Sequence, residues 1–428
     1  MREMKDSGIE WIGNIPATWE RFKIKNVISS IGSGTTPTSS NIDYYNSEDI
    51  CWIQSGDLYN TSYISNTVVS LSAKALHLSA LQIYAAPFIV VAMYGASVGN
   101  IAISTIDACS NQACCCIKPD NNNDLKFMYY WLSMCKIDFL SQSIGGGQPN
   151  ISQSKIKNQF YYRPQLSEQK VIANFLDSKC SEIDAISADI QKEIETLEQY
   201  KRSVITEAVT KGLNPDAEMK DSGIGYIGII PNHWVVEKIK YHLKYRGNRN
   251  PGNVQVLSVY REYGVVPKDS RDDNHNVTSE DTSNYRYVRV GDFVINKMKA
   301  WQGSMAISDY EGIVSPAYYV YEFSDEDFNK KYFHYLLRNK MYATEFLRVS
   351  GGIRVGQWDL SAYDFENTMV PIPPIGEQKK IAAFLDAKST EINLLIGEKK
   401  RQLEVLDSYK KSLIYEYVTG KKEVSVQN

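Results

Sequence analysis

Several protein classes are excluded by what this chain does not contain. No apolar run approaches the ~18 residues that cross a bilayer as a helix; the best stretch, Ala85 to Met93, is half that. The opening Met1-Arg2-Glu3-Met4-Lys5-Asp6 is charged and has no apolar signal core, so a cytoplasmic protein with no membrane contact is expected. Cysteine numbers only seven, all in the first half, with no CxxC and no second cluster to complete a zinc site. Three are adjacent: Cys114, Cys115 and Cys116 would point to alternate faces of a strand, and read as buried thiols in a reducing compartment. The five histidines (His77, His233, His242, His275 and His334) have no metal-ligand spacing, and no GxxxxGK[ST] phosphate loop is present. No catalytic residue, metal site or bound cofactor is therefore assigned to the chain. Charge of neither sign dominates. Forty-seven Lys and Arg against 50 Asp and Glu exclude a protein that coats nucleic acid by bulk charge.

What the 428 residues do contain is one plan written twice. Met4-Lys5-Asp6-Ser7-Gly8-Ile9 returns as Met219-Lys220-Asp221-Ser222-Gly223-Ile224, and 11 of the 16 positions in 4–19 match 219–234. A second pair starts at Glu168-Gln169-Lys170 and Glu377-Gln378-Lys379, with 11 of 17 positions shared. Two similar ends enclose two divergent middles, so each half has a variable domain followed by a shared element.

The shared element reads as a long helix. Pro164, and Pro371, Pro373 and Pro374, stop what precedes it, and Ser167 or a neighbour can cap it. Apolar residues then recur at three-four spacing: Ile183, Ile186, Ile190, Ile194, Leu197, Tyr200 and Val204 in the first copy. The second gives Ile392, Leu395, Ile396, Leu403, Leu406, Tyr409 and Leu413, with Lys399 off the pattern. A narrow stripe on a helix of ~60 Å must be covered. The natural cover is the other copy, antiparallel, through Ile183, Ile190, Leu197, Val204, Ile392, Leu406 and Leu413. That predicts a mixed α+β (α/β) protein. Two similar globular domains are joined by two long antiparallel coiled-coil helices in a pseudo-two-fold arrangement.

The middles share a scaffold. Phe88 to Met93 and Phe293 to Met298 read as strands followed by glycine turns, and Lys126 to Leu132 and Lys331 to Leu337 as one helix in two versions. Charge is uneven: residues 18–163 carry 10 basic and 9 acidic side chains, 238–354 carry 18 and 14, and the helical stretch 164–218 carries 6 and 11. The variable domains are thus the parts suited to nucleic acid. Candidate contacts in the second are Arg246, Arg249, Arg261, Lys297, Lys299, Trp301, Gln302, Arg354 and Gln357. The first has only Lys74 as a basic residue between 26 and 117 and must rely on hydroxyls and amides. Its candidates are Ser33, Thr35, Thr36, Ser39 and Asn41, with Lys74, Tyr94, Ser97 and Gln148. One acid-and-lysine run, Pro215-Asp216-Ala217-Glu218-Met219-Lys220, looks like a nuclease motif, but its halves are adjacent and it lies in a linker, so it reads as chance.

In order and duplication these features resemble the specificity subunits of type I restriction–modification systems. The carriers are Ile15-Pro16-Ala17-Thr18-Trp19 and Ile230-Pro231-Asn232-His233-Trp234, Ser55-Gly56-Asp57-Leu58, and Gly95 to Ile103 with Asn111-Gln112. Gly291-Asp292-Phe293, Ala300-Trp301-Gln302-Gly303, and the helix starts Pro164 to Lys170 and Pro374 to Lys379 complete them. The second start is one residue tighter unless Pro373 is the match. The resemblance implies target-recognition domains at 1–163 and 213–370 (the latter with a linker), and spacer helices at 164–212 and 371–428 (the latter with a tail). It implies that each domain reads half of a bipartite double-stranded DNA target while the helices set the gap. It also implies docking to two modification (methyltransferase) subunits and association with restriction (translocase and nuclease) subunits. S-adenosylmethionine, ATP and Mg would then belong to those partners. The other readings are a self-contained DNA nuclease or methyltransferase, or a coiled-coil scaffold with no DNA role.

Overall fold

The computed structural model describes residues 2–79, 81–141, 150–252, 254–261, 263–270, 278–324, 328–352 and 358–424. The chain divides into two compact units, 1–190 with 401–428, and 191–400.

In the first unit five strands lie in the order Ile28–Ser33, Cys114–Pro119, Phe88–Ala92, Ile101–Ser104, Tyr63–Ile64. All pair antiparallel except the short last one, which runs parallel to its neighbour. Alternate residues feed two cores. Ile89, Val91, Cys115 and Ile117 join Phe127, Trp131, Ile172 and Leu176 on the helical side. Val90, Ala92, Cys114 and Cys116 face Ile53, Leu58 and Ala108 on the other. A sheet covered on both faces needs continuous apolar strands. That is why all of Phe88–Ala92 is buried and why three adjacent cysteines are all buried on alternate faces. Burial raises the Cys115 and Cys116 thiols to about 12, so they stay protonated and unreactive at neutral pH.

The second unit repeats this with four antiparallel strands, Leu243–Tyr245, Tyr318–Phe323, Phe293–Asn296 and Met305–Ile307. Registers fix the equivalences. Ile117 lies opposite both Ile31 and Ile89, and Tyr321 lies opposite both Tyr245 and Phe293. Thus Tyr245 takes the place of Ile31, and Tyr319 that of Cys115. The helices foreseen from sequence occupy Leu125–Met134 and Lys330–Leu337.

The shared elements are single helices, Leu166–Lys211 and Ile375–Val418, of 46 and 44 residues. Ser167 is not the cap, because the helix begins one residue earlier. The Glu-Gln motif closes the joint instead. Gln169 Nε2 donates to the carbonyls of Pro164 and Asn122, and its Oε1 accepts from Asp124 N–H. Gln378 donates to Pro373 and accepts from Asn329, so Pro373 is the counterpart of Pro164. Glu168 and Glu377 accept the indole N–H of Trp19 and Trp234. Asp177 binds Lys126 and Tyr130, and Asp386 binds Lys331 and Tyr335, which fixes the short helix of each unit to its long one.

Within each unit the two long helices run antiparallel. In the first, Asp184 pairs with Lys410 and Phe175 packs on Tyr417; in the second, Glu193 pairs with Lys399 and Lys201 donates to Asn393. Ile183, Ile190, Ile392 and Leu413 are buried, and Leu197, Val204 and Leu406 are half-buried. The seam differs from the sequence expectation at four positions. Ile186, Tyr200, Leu395 and Tyr409 are 50%, 51%, 42% and 54% exposed. Their neighbours Ser187, Lys201, Ile396 and Lys410 take the inward places, and Lys399, expected off the pattern, is also half-buried. The observed sequence 183, 187, 190, 194, 197, 201, 204 keeps a strict heptad. A lysine fits such a place by laying its methylenes along the seam while its ammonium reaches a carboxylate at the rim.

Candidate nucleic-acid interface

One end of each sheet gathers the divergent loops. The strand Ile28–Ser33 ends, Phe88–Ala92 ends and Cys114–Pro119 begins at the same edge. The opposite edge is occupied by the turn after Pro119, whose Asn122 and Asp124 are bonded to Gln169. The free edge therefore presents residues 33–41, 93–100 and 111–113. In the second unit the same edge presents 246–250, 297–303 and 315–317.

The first unit's candidates form an ordered polar rim. Ser33 and Ser39 are exposed, and Thr35 is half-buried. Thr36 Oγ1 donates to Gln112 Oε1 at 2.6 Å, joining two of the loops. Asn41 is half-buried and accepts from Asp43 N–H. Gly34 N–H donates to Ser110 Oγ, and Tyr45 O–H to Pro37 O, so the loop is held along its length. Lys74 is exposed and 4.0 Å from Asp43. Tyr94 is 41% exposed and bridges to Asn150. Gly95-Ala96-Ser97-Val98-Gly99 has the letters of a nucleophile elbow, but Ser97 Oγ donates to Tyr94 O, and no base is bonded to it among the described residues. Gln148 lies outside the described residues, as do Arg354 and Gln357.

The second unit's candidates separate into two sets. Arg246 turns inward: its guanidinium is nearly buried, 3.5 Å from Asp292 and ion-paired with Glu322. That pairing lowers the Glu322 carboxyl, while burial raises Asp292. Lys297 is bound to Asp359 at 2.9 Å. Arg249, Arg261 and Lys299 are exposed. Trp301 donates to Met298 O and packs edge-on against Trp358, and Gln302 beside it is half-buried.

Sequence reasoning missed Arg286. It lies on the strand Arg286–Val288, in the divergent segment between the equivalent strands, and stands 5.4 Å from the ring centres of both Tyr245 and Tyr319. The alternation Tyr285-Arg286-Tyr287-Val288-Arg289 was the available signal, aromatic and basic residues interleaved along a strand. Among the described residues no three His, Cys, Asp or Glu side chains converge as metal ligands, and no helix is long and apolar enough to cross a membrane.

Two copies of one scaffold, each tied to paired helices by buried polar joints and each presenting its own polar loops at the same sheet edge, define a two-module recognition protein. The chain belongs to the type I restriction–modification DNA specificity family. The model of the type I restriction modification DNA specificity domain matches residues 16–196 and again 234–405. It is similar to the MjaVIII specificity subunit, a type I restriction enzyme component of Methanocaldococcus jannaschii, with 27% identity over 323 residues and 71% of each chain covered. The MjaIX specificity subunit of that organism is 29% identical over 192 residues, 44% of this chain and 43% of that one. In fold it resembles a chain from a solved structure described as the basis of complex assembly and conformational transition of the type I R-M system. The TM-score is 0.68 at 12% identity, covering 95% of this chain and 99% of the other.

Proposed function

We propose that this chain is the DNA sequence-specificity subunit of a type I restriction–modification complex, each unit reading one half of a bipartite double-stranded target. The observation that carries this is the family match in two copies, joined to the finding that equivalent sheet edges bear different polar side chains. A shared scaffold with unlike rims is what reading two different half-sites requires. In this reading the long helices fix the gap, since two rigidly held readers accept half-sites at one separation and phase. They also dock two modification subunits, and restriction subunits join that assembly. S-adenosylmethionine, ATP and Mg act on those partners, and the cytoplasmic chain itself does no chemistry. The test is to purify the chain alone and with its modification partner. The assembled complex should bind and methylate one bipartite sequence with S-adenosylmethionine, while the chain alone neither methylates nor cleaves. Methylation or metal-dependent cleavage by the chain alone would overturn the non-catalytic assignment.

A further inference from the structure

The two sheet edges differ in how they can hold a polyanion. In the second unit Tyr245, Tyr319 and Tyr321 form a ladder with ring centres 5.6 to 6.4 Å apart. Arg286 lies over the rings of Tyr245 and Tyr319, and its Nη1 donates to Tyr318 O at 2.6 Å. The guanidinium is thus held in one place by stacking and one hydrogen bond, with its other N–H groups still to be used. Arg249 is bridged to Arg286 through the backbone and is exposed. Neither arginine forms an ion pair among the described residues, whereas nearby Arg246 and Lys297 are neutralised by carboxylates. In the first unit the equivalent ring positions are Ile31 and buried Cys115, which offer no aromatic seat for a guanidinium, and the cation that acts on the Cys115 thiol is Lys157 of the helix Gln153–Asn158. Lys74, the only cation between 26 and 117, is paired to Asp43.

We infer that the second unit grips the phosphodiester backbone of duplex DNA through Arg286 and Arg249, and that the first unit has no such grip and works through neutral hydrogen-bonding groups. At these equivalent ring positions, phosphate contact and its dependence on salt therefore enter through the second unit. This rests on the reading that each unit engages a half-site.

The test uses the complex of the full chain with its modification partner, titrated on a duplex carrying its target between about 50 and 200 mM salt. Arg286→Ala and Arg249→Ala should each weaken binding about five-fold. Each should also flatten the slope of log K against log salt by about one, equally on the target and on a duplex with one altered base pair. Arg286→Lys, which keeps charge but not the planar stack, should fall between. Lys74→Ala should change neither quantity by as much as two-fold. Arg249→Ala keeps the test sound if Arg286→Ala disturbs folding. Unchanged slopes in both variants with selective binding intact overturn this inference alone, as does a loss confined to one base position, which would mean base reading. A wild-type complex without sequence-selective binding removes the underlying reading and this inference with it.

Discussion

Gln169 and Gln378 are buried, and each satisfies backbone groups on both sides of the joint between a long helix and its unit. Replacing Gln169 by Ala would strand three backbone partners in a dry site, at roughly 2–4 kcal/mol, while Lys170→Ala, next door and exposed, should stay within about 0.5. Urea unfolding midpoints of the two variants check this. His334 offers a second residue-level prediction. Burial, aided by the adjacent Arg338, lowers its imidazole to about 3 from the ordinary 6.5. Below pH 6.5 the unfolded chain takes up a proton that the folded His334 refuses, so this group's contribution to stability is present above 6.5 and lost as pH falls toward 3. His334→Asn should flatten the loss of stability over that interval, measured by thermal melts at several pH values; an unaltered profile would contradict the assignment. Residues of this kind were legible only as repeats. The Glu-Gln-Lys and Ile-Pro-x-x-Trp motifs announced a shared part, yet their work is structural: Glu168 and Glu377 receive the indoles of Trp19 and Trp234. The loops that differ carried no such signature, because a hydroxyl or an arginine at a sheet edge has no fixed spacing.

The paired helices show where periodicity succeeds and where it slips. Three-four spacing located both helices and ten inward positions. It then chose Ile186 over Ser187 and Tyr200 over Lys201, because apolar counting cannot see that a lysine stem fills a seam. The energetic consequence is specific. Ile186→Ser and Tyr200→Ser, on the exposed side, should change stability by less than about 0.5 kcal/mol. Ile194→Asp, at a place only 3% exposed, should cost several kcal/mol by burying a carboxylate without a partner. Lys399→Leu and Lys410→Leu should be neutral or stabilising by up to about 1 kcal/mol, since each exchanges a rim ion pair for a better-filled seam. Calorimetric melts of the five sites rank them, and a loss at Ile186 equal to that at Ile194 would restore the other register. The segment that brings Arg286 to Tyr245 and Tyr319 lies in the divergent middle, outside both repeated markers, so no internal comparison pointed to it.

At the scale of the whole molecule the proposal is that two independent readers share one chain. The cores support independence: the first unit's sheet and helices close on themselves around Phe127 and Trp131, and the second's around Phe293 and Phe333. Exchanging the variable part of one should then leave the other's chemistry intact. The most direct measurement is methylome sequencing of cells that carry the modification partner with either the native chain or a chimaera whose residues 20–145 come from another family member. The native chain should give one bipartite methylated motif, and the chimaera a change in one half-site with the other half and the gap kept. A single uninterrupted motif, or a chimaera in which both halves change together, would contradict it.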